Sequence, residues 1–134
     1  MDPSVLRYRI DDIRSIISEL KGLASKPFEE LSIHEKYSMR YLVILLVEAL
    51  VSLCVHISVE EYGKPLTSYR DVVSFVCQRL DIRCVDDLEA LISLRNLLIH
   101  RYWTIDDRQI YDSIRSDFEC VERFLEKVRE VFLV

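Results

Sequence analysis

SIHEKYSMRYLVILLVEALVSLCVHISVEEYGKP, residues 32–65, reads as one long helix with both of its ends marked in the sequence. Ser32-Ile33-His34-Glu35 is a capping box: the serine accepts from the free amides of the first turn and the glutamate returns to the serine N–H. Tyr62-Gly63-Lys64-Pro65 stops the helix, glycine supplying the left-handed turn and proline refusing to continue. The predicted helix runs from Ile33 to Tyr62, and its middle is apolar nearly all round. Such a helix has neighbours on most sides, as at the centre of a bundle or across a dimer interface. The apolar run from Tyr41 to Ile57 is interrupted by Glu48, Ser52 and His56. A carboxylate at mid-bilayer costs roughly 3 kcal/mol, so a buried central helix is expected and no membrane span. Glu48 itself needs an Arg or Tyr from a neighbouring helix, because an unpaired buried charge is expensive.

Working outward, Leu6, Ile10, Ile13, Ile17 and Leu20 recur at steps of four and three, predicting a first helix from about Ser4 to Ala24 closed by Lys26-Pro27. Downstream, Thr67 or Ser68 caps a short third helix with Val72, Val73, Phe75, Val76 and Leu80 inward. Asp86 caps a fourth, with Leu88, Leu91, Ile92, Leu94 and Leu98 inward. Asp106 or Asp107 caps a fifth, where Ile110, Ile114, Phe118, Val121, Leu125, Val128 and Phe132 again step by three and four. The expected fold is all-α: one domain over residues 1–134, an up-and-down bundle of about five helices. Its first, second and fifth helices make the body, and the third is a short cross-piece. Asp117, Glu119, Glu122, Arg123, Glu126 and Lys127 are assigned to a solvated face of the fifth helix.

Composition agrees. Two Gly and three Pro in 134 residues suit helices and not a hairpin-rich β fold. The four Cys (Cys54, Cys77, Cys84, Cys120) show neither Cys-x-x-Cys nor a His at ligand spacing. Neither zinc nor a disulfide framework is expected, and all four are read as buried reduced thiols of a cytoplasmic protein. Met1 is followed by Asp2 and Pro3 and not by a basic start and an apolar run, so no signal peptide is expected. The net charge of −5 argues against a general nucleic-acid coat but leaves room for a small positive site.

The chemistry concentrates in Arg95-Asn96-Leu97-Leu98-Ile99-His100-Arg101-Tyr102, where the fourth helix ends. At 100° per residue Asn96 and His100 share a face, Arg95 and His100 stand roughly 140° apart, and Arg95 and Tyr102 nearly realign if the helix continues. Leu97, Leu98 and Ile99 are assigned to the core. Arg-x4-His is a weak signal by spacing alone: the arginine could cap carbonyls and the histidine could be a buried one bonded to backbone. The surrounding string raises it.

Arg95-Asn96-x3-His100-x-Tyr102 resembles the R-x4-H-x-Y signature of HEPN-superfamily toxins of the HepT type. Glu48-Ala49, Pro65-Leu66-Thr67-Ser68-Tyr69 and Ile105-Asp106 fit the same pattern, so the likeness spans nearly the whole chain. It implies a two-fold homodimer that brings two R-x4-H segments into one cleft. It implies a metal-independent endoribonuclease toxin, with Arg95 and His100 catalytic and no cofactor of its own. The implied partner is an MntA-type minimal nucleotidyltransferase antitoxin, which uses ATP and Mg to place AMP on the motif tyrosine, here Tyr102. RNA, transfer or messenger, is the implied substrate.

The residue types suit that chemistry. RNA supplies its own nucleophile, the 2′-hydroxyl, so what is needed is proton transfer and charge stabilisation. An imidazole with a pKa near 6.5 can do the first. A guanidinium, planar and always charged, can do the second. Asn96 could orient the imidazole or donate to phosphate, and Glu48 could support the site by pairing with Arg95. AMP on Tyr102 would add bulk and negative charge where RNA phosphate must sit. Arg101 could touch phosphate or be merely solvated. Trp103 is expected to pack a core or dimer surface in preference to stacking bases. The alternative function is a non-catalytic helical subunit that binds a nucleotide or substrate for a separate nucleotidyltransferase; a plain dimerising module is the third.

Overall fold

The structure, a computed structural model, describes residues 1–116 and 118–133. They contain six α-helices: α1 Pro3–Ala24, α2 Ile33–Tyr62, α3 Tyr69–Arg79, α4 Val85–His100, α5 Asp107–Ser116 and α6 Phe118–Phe132. Two single 3-10 turns, Phe28–Glu30 and Tyr102–Thr104, join helices, and no strand occurs among the described residues. The chain is an all-α bundle.

α2 has the ends its sequence announced. Ser32 Oγ accepts from the Glu35 amide at 3.1 Å, and Glu35 Oε1 accepts from the Ser32 amide at 3.0 Å. At the other end Gly63 turns left-handed at φ 61°, and the Gly63 and Lys64 amides close on the Val59 and Ser58 carbonyls. A residue with a β-carbon would be strained there. α2 packs against α1, α3, α4 and α5. By length and composition it meets the requirement for a membrane span, yet half of its most apolar 18 residues are buried against those neighbours.

The stripe of α1 is buried as expected, from Leu6 to Leu20, and α1 starts at Pro3 because Asp2 caps it and a proline at the first helical position has no amide to satisfy. Of the open caps, Ser68 accepts from the Asp71 amide and begins α3, and Asp106 accepts from the Arg108 amide and begins α5. α4 departs from expectation at its start: Cys84, not Asp86, stands at the cap, and Asp86 lies in the first turn.

The predicted fifth helix is matched by α5 and α6, which lie on either side of Asp117; that residue, assigned above to the solvated face, lies outside the described residues. The buried series Ile110, Ile114, Phe118, Val121, Leu125, Val128 runs through both. Two further expectations need correction. First, Leu97 and Ile99 are not core: they are 39% and 47% exposed, and of the three only Leu98 is buried. Three consecutive helical residues span about 200° of arc, and α4 has one buried face. Second, Cys84 and Cys120 form a disulfide that ties the start of α4 to α6, with Cα atoms 5.9 Å apart. A contact between residues 36 apart in sequence leaves no mark in local spacing. Cys54 and Cys77 are free and buried, as read. Burial pushes the Cys77 thiol up to about 12 and holds that of Cys54 well above its ordinary value.

Candidate functional site

Between Lys36 and Glu60 the only charged residues of α2 are Arg40 and Glu48. Both are answered by the segment around the Arg95–Tyr102 motif. Glu48 Oε1 takes Nε and Nη2 of Arg95 at 2.9 and 2.6 Å, and its other oxygen accepts from the Tyr69 hydroxyl at 2.7 Å. The Arg95 guanidinium also stands 4.9 Å over the Tyr69 ring and donates from Nη1 to Asn96 Oδ1 at 3.0 Å. One carboxylate from α2 thus gathers α3 and α4. The bond to Glu48, with burial second, holds the Tyr69 phenol above the ordinary tyrosine range. Arg95 keeps 19% of its side chain exposed. Among the described residues it caps no helix carbonyl; its hydrogen-bond partners are the Glu48 and Asn96 side chains.

A guanidinium has five N–H donors. Glu48 occupies two and Asn96 a third, which leaves one hydrogen on each terminal nitrogen for an incoming anion. The pair is partly exposed, so its own contribution to stability is about 1 kcal/mol or less. Its effect is to fix a direction.

His100 is the last residue of α4 and is exposed. No hydrogen bond or ion pair joins it to Arg95 or Asn96 among the described residues. The chain leaves the helix at Arg101, whose φ of −137° and ψ of 43° are not helical, and enters the Tyr102–Thr104 turn. The realignment of Arg95 with Tyr102, conditional on a continuing helix, therefore does not occur. Arg40 places Tyr102 instead. Its Nε and Nη2 form a two-pronged ion pair with Asp107 at 2.7 and 3.0 Å, largely buried on both sides. Its Nη1 donates to the Tyr102 carbonyl at 3.3 Å, and its guanidinium lies 4.6 Å over the Tyr102 ring. The hydrogen bond to Asp107 holds Arg40 more firmly protonated than usual.

Residues 9–128 match the family described as Ribonuclease HepT-like. This chain belongs to the HepT-like ribonuclease family. Several solved chains share its fold. A chain from the structure titled "Crystal structure of the toxin-antitoxin with AMP-PNP" superposes with a TM-score of 0.82 at 17% identity, over 95% of this chain and 98% of that one. YutE from Bacillus subtilis, described as a cytosolic protein of unknown function, gives 0.74 at 17% identity over 93% and 89%. No curated protein sequence matches.

In this HepT-like chain the fold brings Glu48, Asn96 and Arg95 together, and His100 makes no hydrogen bond or ion pair to them among the described residues. Sequence reasoning passed over three contributors: Arg40, Asp107 as its partner, and Tyr69 as a donor to Glu48. The signal for Arg40 was present, since a charge inside an apolar helix demands a partner just as Glu48 does. Trp103, expected in a core or dimer surface, takes no part in this chain's core and is 93% exposed. Arg101 is exposed too, with no side-chain ion pair among the described residues.

Proposed function

We propose that this chain is a metal-independent endoribonuclease, the toxin of a HEPN/MNT toxin–antitoxin pair, working as a two-fold homodimer with RNA as substrate. Arg95 binds the scissile phosphate through its two remaining N–H groups and takes up the added charge of the pentacoordinate phosphorane. One His100 removes the proton from the 2′-hydroxyl as that oxygen bonds to phosphorus. The P–O5′ bond breaks, and the His100 of the second copy returns a proton to the departing oxygen. The products are a 2′,3′-cyclic phosphate and a free 5′-hydroxyl.

The observation that carries this reading is the held but unspent guanidinium of Arg95 beside Glu48, on the helix that ends in an exposed His100. The dimer reading is supported by α2. Tyr37, Tyr41, Val55 and Val59 are exposed and fall within about 40° of one another around the helix, with Glu48 in the same band. A second copy seated on that band would bring two Glu48–Arg95 pairs close together.

Tyr102 is the proposed site of AMP transfer by an MntA-type nucleotidyltransferase, the antitoxin, using ATP and Mg. The test has two arms. Purified wild type and His100→Ala are incubated with total cellular RNA in EDTA, and only the wild type is expected to cut. The wild type and Tyr102→Phe are then pretreated with the partner and ATP, and only the wild type should be silenced. Cleavage by a folded His100→Ala sinks the nuclease assignment, and silencing of Tyr102→Phe sinks the modification site.

A further inference from the structure

We propose that Trp103 is a nucleobase-stacking residue, a flat platform on which a base flanking the cleaved linkage rests. The proposal depends on the ribonuclease reading and adds a binding contact to it. Trp103 is the sole tryptophan in the chain and, at 93%, the most exposed large apolar side chain among the described residues. An indole in water forgoes the burial that places most tryptophans inside, so its position calls for a ligand.

The turn that presents it is anchored. Arg40 grips the Tyr102 carbonyl and the Asp107 carboxylate, and its guanidinium covers the Tyr102 ring. The Thr104 amide and hydroxyl both close on the Arg101 carbonyl, at 3.0 and 3.1 Å. The Tyr102 ring meets Trp103 edge-on, 5.5 Å between centroids at 89°. A ring backed this way loses little freedom when a second ring lies on it, which favours binding.

The surroundings select the ligand. Trp103 follows His100 by three residues, and the neighbouring Arg101 is exposed, with no side-chain ion pair among the described residues, a charge suited to phosphate. Thr104, next in the chain after Trp103, is exposed and uncharged, while the exposed Asp106 carboxylate accepts from the Arg108 amide. A protein interface needs an apolar centre inside roughly 800 Å² per partner. An exposed indole close in the chain to an exposed arginine fits single-stranded RNA, which pairs bases with aromatic faces and phosphates with arginine.

Because the chain has one tryptophan, its own fluorescence reports on that ring. The experiment titrates wild type, Trp103→Phe and Trp103→Ala with single-stranded 2′-O-methyl RNA of mixed sequence, which cannot be cleaved. Affinity is read by anisotropy of labelled RNA, and in the wild type also by indole emission. The free protein is expected to emit as a water-exposed indole and to be quenched by RNA. Trp103→Ala should bind about 5- to 150-fold more weakly, the loss of about 1–3 kcal/mol of stacking, and Trp103→Phe should retain most of the affinity. Equal binding by Trp103→Ala, in a protein whose wild type cuts RNA, overturns this inference alone. Emission already that of a buried indole, moving to the exposed form on dilution, overturns it in favour of a contact between copies. A wild type that neither binds nor cuts RNA removes the ribonuclease reading and this one with it.

Discussion

Arg40 and Arg95 make the same arrangement twice. Each is a guanidinium with a carboxylate on one edge and an aromatic ring beneath, and each ties α2 to the segment that carries the motif. The two differ in burial, and so in what their loss costs. Arg40→Gln strands Asp107 as a largely buried carboxylate without its cation, and is expected to destabilise the fold by about 2–3 kcal/mol in urea titration. Adding Asp107→Asn should recover part of that loss, because the stranded charge is then gone. A cost near zero for Arg40→Gln, or no recovery in the double variant, contradicts the clamp. How much of this was legible is instructive. Glu48 was found because a carboxylate in an apolar run must be answered, and Arg95 and Tyr69 answer it. Arg40 obeys the same rule, but it stands at the edge of the run, where a cation resembles an ordinary surface residue.

Helices whose ends carry local chemistry were legible to the residue, as α2 shows with its capping box and Gly63. Features made by tertiary contact were not. The Cys84–Cys120 bond joins positions that no motif links. The thiols give a direct check at this scale. In the native protein at pH 8.5, Cys54 and Cys77 should resist alkylation, since burial keeps both in the thiol form and raises the Cys77 pKa to about 12. Denaturation without reductant should expose two reactive thiols by mass spectrometry, and with reductant four. Four labels without reductant would show the Cys84–Cys120 bond to be absent. Closing a loop of that length is worth about 3–4 kcal/mol in the chain-entropy picture, so reductant should lower the unfolding midpoint of the wild type.

For the whole molecule, the proposed two-fold site pairs the His100 of one copy with that of the other, and the exposed band of α2 is the surface proposed for the contact. The chain should elute at about twice 15.9 kDa. Tyr41, at 61% the most exposed apolar residue of that band, is the place to break the dimer. Tyr41→Asp should give a folded monomer with little RNA cleavage; a monomer that cuts as well as wild type would show that the second copy is dispensable. Beneath all of this lies the claim that His100 and Arg95 act on the ribose 2′-hydroxyl and its phosphate. The most direct measurement is the chemistry of the ends left by purified wild type on RNA in EDTA. The account predicts 2′,3′-cyclic phosphate on one fragment and 5′-hydroxyl on the other, both missing with His100→Ala; 5′-phosphate and 3′-hydroxyl ends would contradict it.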